Sequence, residues 1–279
     1  RHESFKKPGR RPAEDKDTWT MHSLTGRTII ITGASSGIGA AAAKRFAREG
    51  AQLVLSSRRE EPLADLTRAI EANGGTARYL PGDVSDEACA AQLVAFACRA
   101  FGGLDGAFNN AGTLGTLGPV TDLSLTDWNE ALSVNLTGAF LAAKHQIPAL
   151  LESAKEGGTG GSLLFTSSFV GNTAGMPGTA AYAAAKAGIA GLTRSLAAEY
   201  GPQGLRVNAL LPGGTDTPMA RAMNDTEEAL DFVRGLHGLK RIAQPEEIAE
   251  AALFLLSPAS SFVTGTAMLA DGGVSIQRT

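Results

Sequence analysis

The segment Thr28-Ile-Ile-Ile-Thr-Gly-Ala-Ser-Ser-Gly-Ile-Gly39 decides the fold of this 279-residue chain. Its β-branched first half predicts a buried strand, and its glycine-rich second half leads into a helical pattern. Glycines permit a tight turn and a close approach of the backbone to a phosphate, while the N-terminus of the following helix faces the anion. The spacing GxxxGxG differs from the GxGxxG form, but the strand–turn–helix context predicts phosphate binding. The candidate contacts are Gly33, Ser35, Ser36, Gly37, Ile38 and Gly39.

Short apolar runs alternate with helical patterns along the rest of the chain. Strands are predicted at 28–32, 52–56, 77–80, 104–109, 162–167, 206–210 and 267–270, and helices at 38–49, 62–72, 87–101, 126–151, 180–200 and 245–256. This alternation indicates repeated βαβ units, so we expect an α/β fold with a doubly wound, parallel, seven-stranded sheet covered by helices on both faces. Gly50 and Gly201 stand where left-handed helix caps are expected.

Composition favours one large domain with a small-molecule ligand. A net charge of −3 offers no broad basic field for nucleic acid. No apolar run approaches the roughly 18 residues of a membrane helix. Cys89 and Cys98 fall in a predicted helix with neither metal spacing nor a disulfide framework. We interpret them as reduced core thiols of a cytoplasmic protein and expect no metal site.

Two segments stand apart from the alternating pattern. Residues 1–23 are polar, basic and aperiodic, without the apolar core of a signal peptide, which predicts a flexible tail before a single domain at 24–279. An artificial extension, a processed leader and a native arm all remain open as its origin. Residues 219–238 are predicted as a helical insertion beside the ligand cleft, either a mobile substrate lid or an ordinary pair of surface helices.

Polar residues follow the third and fourth predicted strands. Asp83 and Val84 end one strand, and Asn109-Asn-Ala-Gly112 ends the next. Ligands of open parallel sheets bind outside the carboxyl ends of the strands, so Asp83 and Val84 are predicted beside an adenine. Asn110, Ala111 and Gly112 are predicted to contact the same dinucleotide. Turn chemistry is the alternative, because Asp, Asn and Gly all favour turns.

The end of the second strand predicts the cofactor. An acidic residue there binds the ribose 2′-hydroxyl of NAD, whereas an arginine accommodates the 2′-phosphate of NADP. Ser57 occupies the acidic position, and Arg58 and Arg59 follow it. We therefore expect NADP to be preferred, with NAD possible. The alternative is a pair of solvated arginines that open a helix.

The segment Tyr182-Ala-Ala-Ala-Lys186, preceded by Ser167-Ser168, predicts the chemistry. Residues four apart lie on one face of a helix, so the ammonium can lower the pKa of the phenol toward working pH. Such a phenol can donate a proton to a carbonyl or accept one from an alcohol. Taken alone, YxxxK also fits an exposed helix with a snorkelling lysine.

These motifs, together with Val207-Asn-Ala-Leu-Leu-Pro-Gly213, resemble in identity and order those of the short-chain dehydrogenase/reductase family, core single-domain type. The resemblance extends from about Leu24 to the C-terminus. It implies a Rossmann-like fold, a nicotinamide cofactor and frequent homotetramers. It is broadest toward the 3-oxoacyl-carrier-protein reductase-like branch and the sugar or polyol dehydrogenases.

The resemblance also implies roles for four residues. Tyr182 would be the general acid in reduction and the base in oxidation, and Lys186 would lower its pKa and bind the nicotinamide ribose. Ser168 would hydrogen-bond the substrate oxygen. Asn135 would support a water-linked proton path to Lys186; equally, it fits a buried polar residue that kinks its helix.

Two further assignments follow from the resemblance. Ser168 is one residue further from Tyr182 than is usual in the family, but Gly171 completes the pattern SxxG, so Ser168 is preferred to Ser167 and one inserted residue near 172–175 explains the offset. The loop after the sixth strand would contact the carboxamide or phosphates of the cofactor, unless it is only a polar loop; its candidate residues are Pro212, Gly213, Thr215 and Thr217.

We thus predict an NADP-preferring oxidoreductase that acts on a carbonyl or secondary alcohol and self-associates. A non-catalytic nucleotide sensor or scaffold is the alternative from another class, and the intact catalytic set argues against it. Epimerase-type relatives usually carry a larger substrate domain than this chain could form. The predicted substrate pocket, formed by 113–117, Phe169, Val170, Met176 and 219–223, is mostly apolar and favours a bulky or moderately apolar carbonyl.

Overall fold

A single seven-stranded parallel sheet forms the centre of the computed structural model, which describes residues 23–155, 160–224 and 226–277. The tail predicted at 1–23 lies outside these residues, apart from Ser23. Strand order is β3-β2-β1-β4-β5-β6-β7. The strands are β1 (Thr28–Thr32), β2 (Gln52–Ser56), β3 (Thr76–Tyr79), β4 (Gly106–Asn109), β5 (Ser162–Thr166), β6 (Arg206–Pro212) and β7 (Ala267–Ala270). All seven predicted strands are confirmed, with ends that shift by up to two residues.

Helices cover both faces of the sheet, as predicted. They are α1 (Gly37–Arg48), α2 (Glu60–Ala72), α3 (Glu87–Phe101), α4 (Leu125–Leu132), α5 (Gly138–Lys155), α6 (Ala180–Tyr200), α7 (Pro218–Met223), α8 (Glu227–Leu236) and α9 (Pro245–Leu256). One core cluster joins the sheet to α1, α2 and α9, and a second joins it to α3, α5 and α6. The central strands are buried along their length because both faces are covered.

Three local expectations were wrong or incomplete. The long helix predicted at 126–151 is interrupted by a π-helical segment, Ser133–Thr137, between α4 and α5. Gly201 continues with helical dihedrals into a 3₁₀ turn, and Gly204 takes the left-handed conformation instead (φ 86°). Cys98 is an exposed thiol rather than a core residue, whereas Cys89 is buried as expected.

The topology places a cleft at the carboxyl edge of the sheet. The chain runs outward from β1 to β3 and then crosses back to β4 on the other side of β1. The loops after β1 and β4 therefore diverge and leave a crevice between them. Within the described part of the chain, no helix combines the length and apolarity needed to cross a bilayer.

Candidate active site

The turn between β1 and α1 is shaped by three glycines. Gly33 and Gly37 adopt positive φ angles of 67° and 53°. A Cβ on Gly39 would lie 2.3 Å from the carbonyl oxygen of Gly33, so the helix can approach the turn only without a side chain. Ser36, the N-cap of α1, makes no side-chain capping bond, which leaves the first N–H groups of the helix directed toward the crevice. This arrangement fits a pyrophosphate.

A polar cavity of about 900 Å³ extends from this turn across the ends of β2 and β3. Arg59 donates to the Ser35 hydroxyl at 3.1 Å. Asp83 accepts from the amide and hydroxyl of Ser85 at 2.9 and 2.7 Å, and these bonds, with the charge of Arg58, hold the pKa of its carboxyl below the usual value. The turn chemistry at Asp83 is therefore present, and the same residue also lines the cavity.

The loop after β4 is anchored to the two neighbouring strands. The amides of Asn110 and Ala111 donate to the hydroxyl of Thr32 at 3.1 and 3.2 Å, and the Asn110 side chain accepts from Thr166 at 3.1 Å. Behind this loop, Asn109 and the buried Gln146 exchange two amide hydrogen bonds of 2.8 and 3.1 Å. The loop is thus fixed at the centre of the crevice, within 2.9 Å of the Cβ position of Gly33.

Ser168, Tyr182 and Lys186 meet beyond this loop. The Ser168 side chain lies close enough to the Tyr182 hydroxyl to favour its ionised form, and the Ser168 hydroxyl itself accepts from the Val170 amide at 3.1 Å. The ammonium of Lys186 lies 5.6 Å from the centre of the Tyr182 ring and donates to the carbonyl of Thr166 at 2.8 Å. Ser167 is directed elsewhere, because its hydroxyl donates to the carbonyl of Lys186 at 2.7 Å. The geometry favours Ser168 over Ser167.

A tight turn after Ser168 brings the serine and the tyrosine together. Gly171 has a φ of 84°, and its amide donates to Ala174 at 2.8 Å. A Cβ on Gly171 would lie 2.2 Å from the carbonyl oxygen of Ala183, one residue after Tyr182. Only glycine permits this contact between the turn and α6.

The pKa of Tyr182 is raised, whereas the spacing to Lys186 predicted that it would be lowered. Burial raises the tyrosine pKa above its usual value, and the nearby Ser168 side chain opposes this only in part. Burial also lowers the pKa of Lys186 to about 8. Lys186 directs its ammonium to Thr166 rather than to the phenol, so its charge does not offset the desolvation of a phenolate. At neutral pH the phenol is protonated, which is the state of a proton donor.

Asn135 lies in the π-helical segment and holds the loop that follows Gly112. Its amide donates to the carbonyls of Thr113 and Ala131 at 2.8 and 2.9 Å, and its oxygen accepts from Thr113 at 3.1 Å. A Cβ on Gly112 would contact both the Asn135 oxygen, at 2.8 Å, and the Lys186 nitrogen, at 3.3 Å. Asn135 therefore interrupts the regular helix as a buried polar residue and also lies near Lys186.

Ser168, Tyr182 and Lys186 line a second cavity of about 290 Å³, which shares Gly33, Ser36, Ala111 and Gly112 with the first. Every predicted cofactor residue lines one of the two cavities, apart from Gly39, which is buried against Gly33. Of the predicted lid, Met219, Met223, Leu230, Val233 and Leu236 line the second cavity.

Two residues at the site were not identified from the sequence. His237 is buried at the end of α8, and Gln146 is buried in α5. Neither belongs to a motif, because Gln146 ends the polar run Lys144-His-Gln146 and His237 is a single histidine after α8. Only the folded structure brings their partners to them.

Comparison with known proteins decides the family. A family model described as Enoyl-(Acyl carrier protein) reductase matches residues 33–275. The chain belongs to the short-chain dehydrogenase/reductase family. Among its relatives, a 2,5-dichloro-2,5-cyclohexadiene-1,4-diol dehydrogenase of Sphingobium indicum is 41% identical over 254 residues, covering 91% of this chain and 98% of that protein.

Other members support the same placement. An A-factor type gamma-butyrolactone 1′-reductase (1S-forming) of Streptomyces virginiae is also 41% identical, over 91% of this chain and 97% of its own. The crystal structure of a putative NAD(P) dependent gluconate 5-dehydrogenase from Beutenbergia cavernae, with bound NADP at low occupancy, is 33% identical and superposes with a TM-score of 0.84 over 92% of this chain and 99% of that one.

Membership of the short-chain dehydrogenase/reductase family makes this protein an NAD(P)-dependent oxidoreductase of alcohols or carbonyls. The Rossmann-like parallel sheet expected from the resemblance is the one observed. Nothing in the comparisons supports a non-catalytic sensor or scaffold.

Proposed function

We propose that this protein transfers a hydride between NADP(H) and a neutral, largely apolar carbonyl or secondary alcohol, with Tyr182 as the general acid and base. The observation that carries this proposal is the contact of Tyr182 with Ser168 at the wall of an apolar cavity. When bound, the nicotinamide supplies or accepts the hydride. Tyr182 protonates the oxygen of the reduced carbonyl, and Ser168 orients that oxygen by a hydrogen bond.

Lys186 has two roles in this proposal. Its ammonium is fixed by the Thr166 carbonyl and faces Gly112, so it can hold the ribose of the cofactor at the mouth of the crevice. A small cavity of about 20 Å³ lies beside Thr166 and is also lined by Asn135 and Asn109. This volume accommodates one water molecule. A water there would lie between Asn135 and Thr166, whose carbonyl accepts from Lys186, and would thereby extend the proton path toward the lysine.

The preference for NADP rests on charge at the end of β2. Ser57, Arg58 and Arg59 line the rim of the polar cavity, and Arg59 reaches the phosphate turn through Ser35. The position that would carry a carboxylate to bind a ribose diol is a serine. The guanidinium groups can instead bind a 2′-phosphate through charge-assisted hydrogen bonds.

The substrate class follows from the lining of the second cavity. Its only ionisable side chains among the described residues are Tyr182, Lys186 and His237, and the last two are committed to backbone groups. Lys186 is assigned to the cofactor ribose and the His237 ring is neutral, so no other cation of the described lining residues is available to bind a substrate carboxylate. Three methionines, Met176, Met219 and Met223, line the cavity and can adapt to different apolar shapes. Two relatives are named for a cyclohexadienediol and a gamma-butyrolactone, which are uncharged ring compounds.

Further assignments complete the proposal. The continuous sheet supports one catalytic domain over 24–279, with 219–238 as its lid. Exposed apolar side chains on α4 and α5, Leu125 and Phe140, support a homo-oligomer, with a tetramer favoured by the family resemblance. The two unpaired thiols support a reducing compartment such as the cytoplasm.

A cofactor and substrate panel tests the proposal. NADPH and NADH are each assayed with cyclic ketones and with carboxylated analogues of the same skeleton. We expect a lower KM for NADPH, and turnover of the neutral ketones in preference to the carboxylates. Ser57→Asp combined with Arg58→Ala should reverse the order of the two cofactors while the ketone preference stays unchanged. Equal or better use of NADH by the wild type would show that Arg58 does not select the phosphate.

A further inference from the structure

His237 is buried at the junction between the lid and the loop that follows β6. It stands directly after α8 and is 2% exposed. Its Nε2 accepts the backbone N–H of Gly214 at 2.9 Å, and its Nδ1 lies 2.8 Å from the carbonyl oxygen of Val233. A backbone N–H only donates and a carbonyl only accepts. The ring is therefore the neutral tautomer with its proton on Nδ1.

Two glycines make room for this ring. A Cβ on Gly214 would lie 2.8 Å from Cε1 of His237, and a Cβ on Gly272 would lie 3.3 Å from Cδ2. The imidazole is thus packed between the loop after β6 and the turn after β7. A side chain on Gly214 would collide with the ring that binds its amide.

The loop at 213–215 has other backbone anchors, and within the described residues one hydrogen bond joins it to the lid, that from Gly214 to His237. Gly213 donates to Ala270 at 3.1 Å, and the carbonyl of Gly214 accepts from Ala243 at 2.8 Å. The amide of Gly214 is held by His237, its one partner among the described residues. Both Gly214 and His237 line the cavity that contains Tyr182.

We propose that His237 is a positioning residue for the nicotinamide half of the site, because it fixes the cofactor loop to the end of the lid. The inference rests on the proposed function in one respect, the assignment of residues 213–217 to the cofactor. Loss of the imidazole acceptor leaves the Gly214 amide without its partner and lets loop and lid separate. Cofactor binding then weakens more than the chemical step.

Two substitutions separate the acceptor from the rest of the ring. The amide oxygen of a glutamine at 237 can reach the place of Nε2 and accept from Gly214, whereas an asparagine is too short and can replace only the Nδ1 bond to Val233. We call the hydrogen bond from the Gly214 amide to residue 237 the clamp. His237→Gln should therefore retain the clamp, and His237→Asn should lose it. His145→Asn, at a partly exposed histidine on α5 that pairs with Glu87, is the matched control.

The first readout needs neither cofactor nor substrate. Hydrogen exchange, followed by mass spectrometry of peptides that contain Gly214, should be about tenfold faster in His237→Asn than in the wild type and nearly unchanged in His237→Gln and His145→Asn. The second is the Kd for NADP⁺ from calorimetry, with KM and kcat for NADPH. His237→Asn should raise Kd and KM about tenfold and change kcat by less than about threefold. Melting temperatures establish that each variant is folded.

Distinct results would overturn the inference. Equal exchange at Gly214 in the wild type and in folded His237→Asn would refute the clamp. If His237→Gln and His237→Asn lost exchange protection at Gly214 and affinity for NADP⁺ to the same extent, the role of the acceptor at position 237 would be refuted. Faster exchange with unchanged NADP⁺ affinity would refute the role in cofactor binding, and it would leave the proposed reaction intact. A wild type that binds no nicotinamide cofactor would instead contradict the proposed function, while exchange still tests the clamp.

Discussion

Replacement of Gly39 by alanine tests whether the turn between β1 and α1 requires a glycine at this position. The new Cβ would lie 2.3 Å from the carbonyl oxygen of Gly33, 2.8 Å from its carbon and 2.9 Å from the amide nitrogen of Asn110. Two of these three atoms are backbone, so no side-chain rotation relieves the contact. Overpacking of this kind costs about 1–3 kcal/mol, while alanine gains about 0.5–1 kcal/mol over glycine within a helix. The difference spans about 0–2.5 kcal/mol, and because the 2.3 Å contact is with backbone we expect a net loss in the upper half of that range, about 1–2.5 kcal/mol.

The same displacement should weaken the cofactor, because Gly33 and the loop at Asn110 line both cavities. We expect the Kd for NADP⁺ to rise about tenfold, since a tenfold change corresponds to only about 1.4 kcal/mol. Chemical denaturation and calorimetry measure the two effects. Gly235→Ala is the control, because a Cβ there meets nothing within 4 Å. It should keep the affinity and gain about 0.5–1 kcal/mol from helix propensity. If Gly39→Ala matched this control in both stability and affinity, the reasoning would be wrong.

Three other predictions concern the buried charge, the acid–base group and the assembly. Burial lowers the pKa of Lys186 from 10.5 to about 8, so keeping this side chain charged in the folded protein costs about 3 kcal/mol below pH 8. The unfolded chain binds the proton more tightly than the folded one between pH 8 and 10.5. The free energy of unfolding of the wild type should therefore rise with pH across this range, relative to that of Lys186→Met. Lys186→Met should lose turnover without a fall in melting temperature at pH 7; a large fall would contradict the burial penalty. Because burial raises the pKa of Tyr182, alcohol oxidation should accelerate into the alkaline range while carbonyl reduction declines there, and a flat kcat/KM profile for oxidation would count against Tyr182 as the base. Light scattering should give a multiple of 28.7 kDa, and a stable monomer at micromolar concentration would refute self-association.

The sequence predicts the sheet and the site motifs because their signals are local. The hydrophobic run of β1 and the glycines after it are contiguous, and Tyr182 and Lys186 are joined by one helical turn. The role of Asn135 in the π-helical segment could not be predicted in this way, since its side chain bonds to Thr113, more than twenty residues away. The clamp at His237 likewise needs Gly214, which only the fold brings to it.

The raised pKa of Tyr182 is a second property that local sequence does not predict. Spacing places Lys186 on the face of Tyr182, which favours a lowered pKa. The fold buries both groups and gives the ammonium a backbone acceptor, so desolvation dominates. Burial of this extent is a property of the tertiary structure and cannot be obtained from the spacing of two residues.

Tyr182→Phe tests the central claim most directly. The substitution removes one hydroxyl and keeps the ring against Lys186, so the Kd for NADP⁺ should remain within about threefold of the wild type. Turnover of the best neutral ketone with NADPH should fall by about 10²–10⁴, the range of general acid catalysis. Stopped-flow absorbance of NADPH in single turnovers measures this step. A folded Tyr182→Phe variant that oxidises NADPH at the wild-type rate would contradict the account.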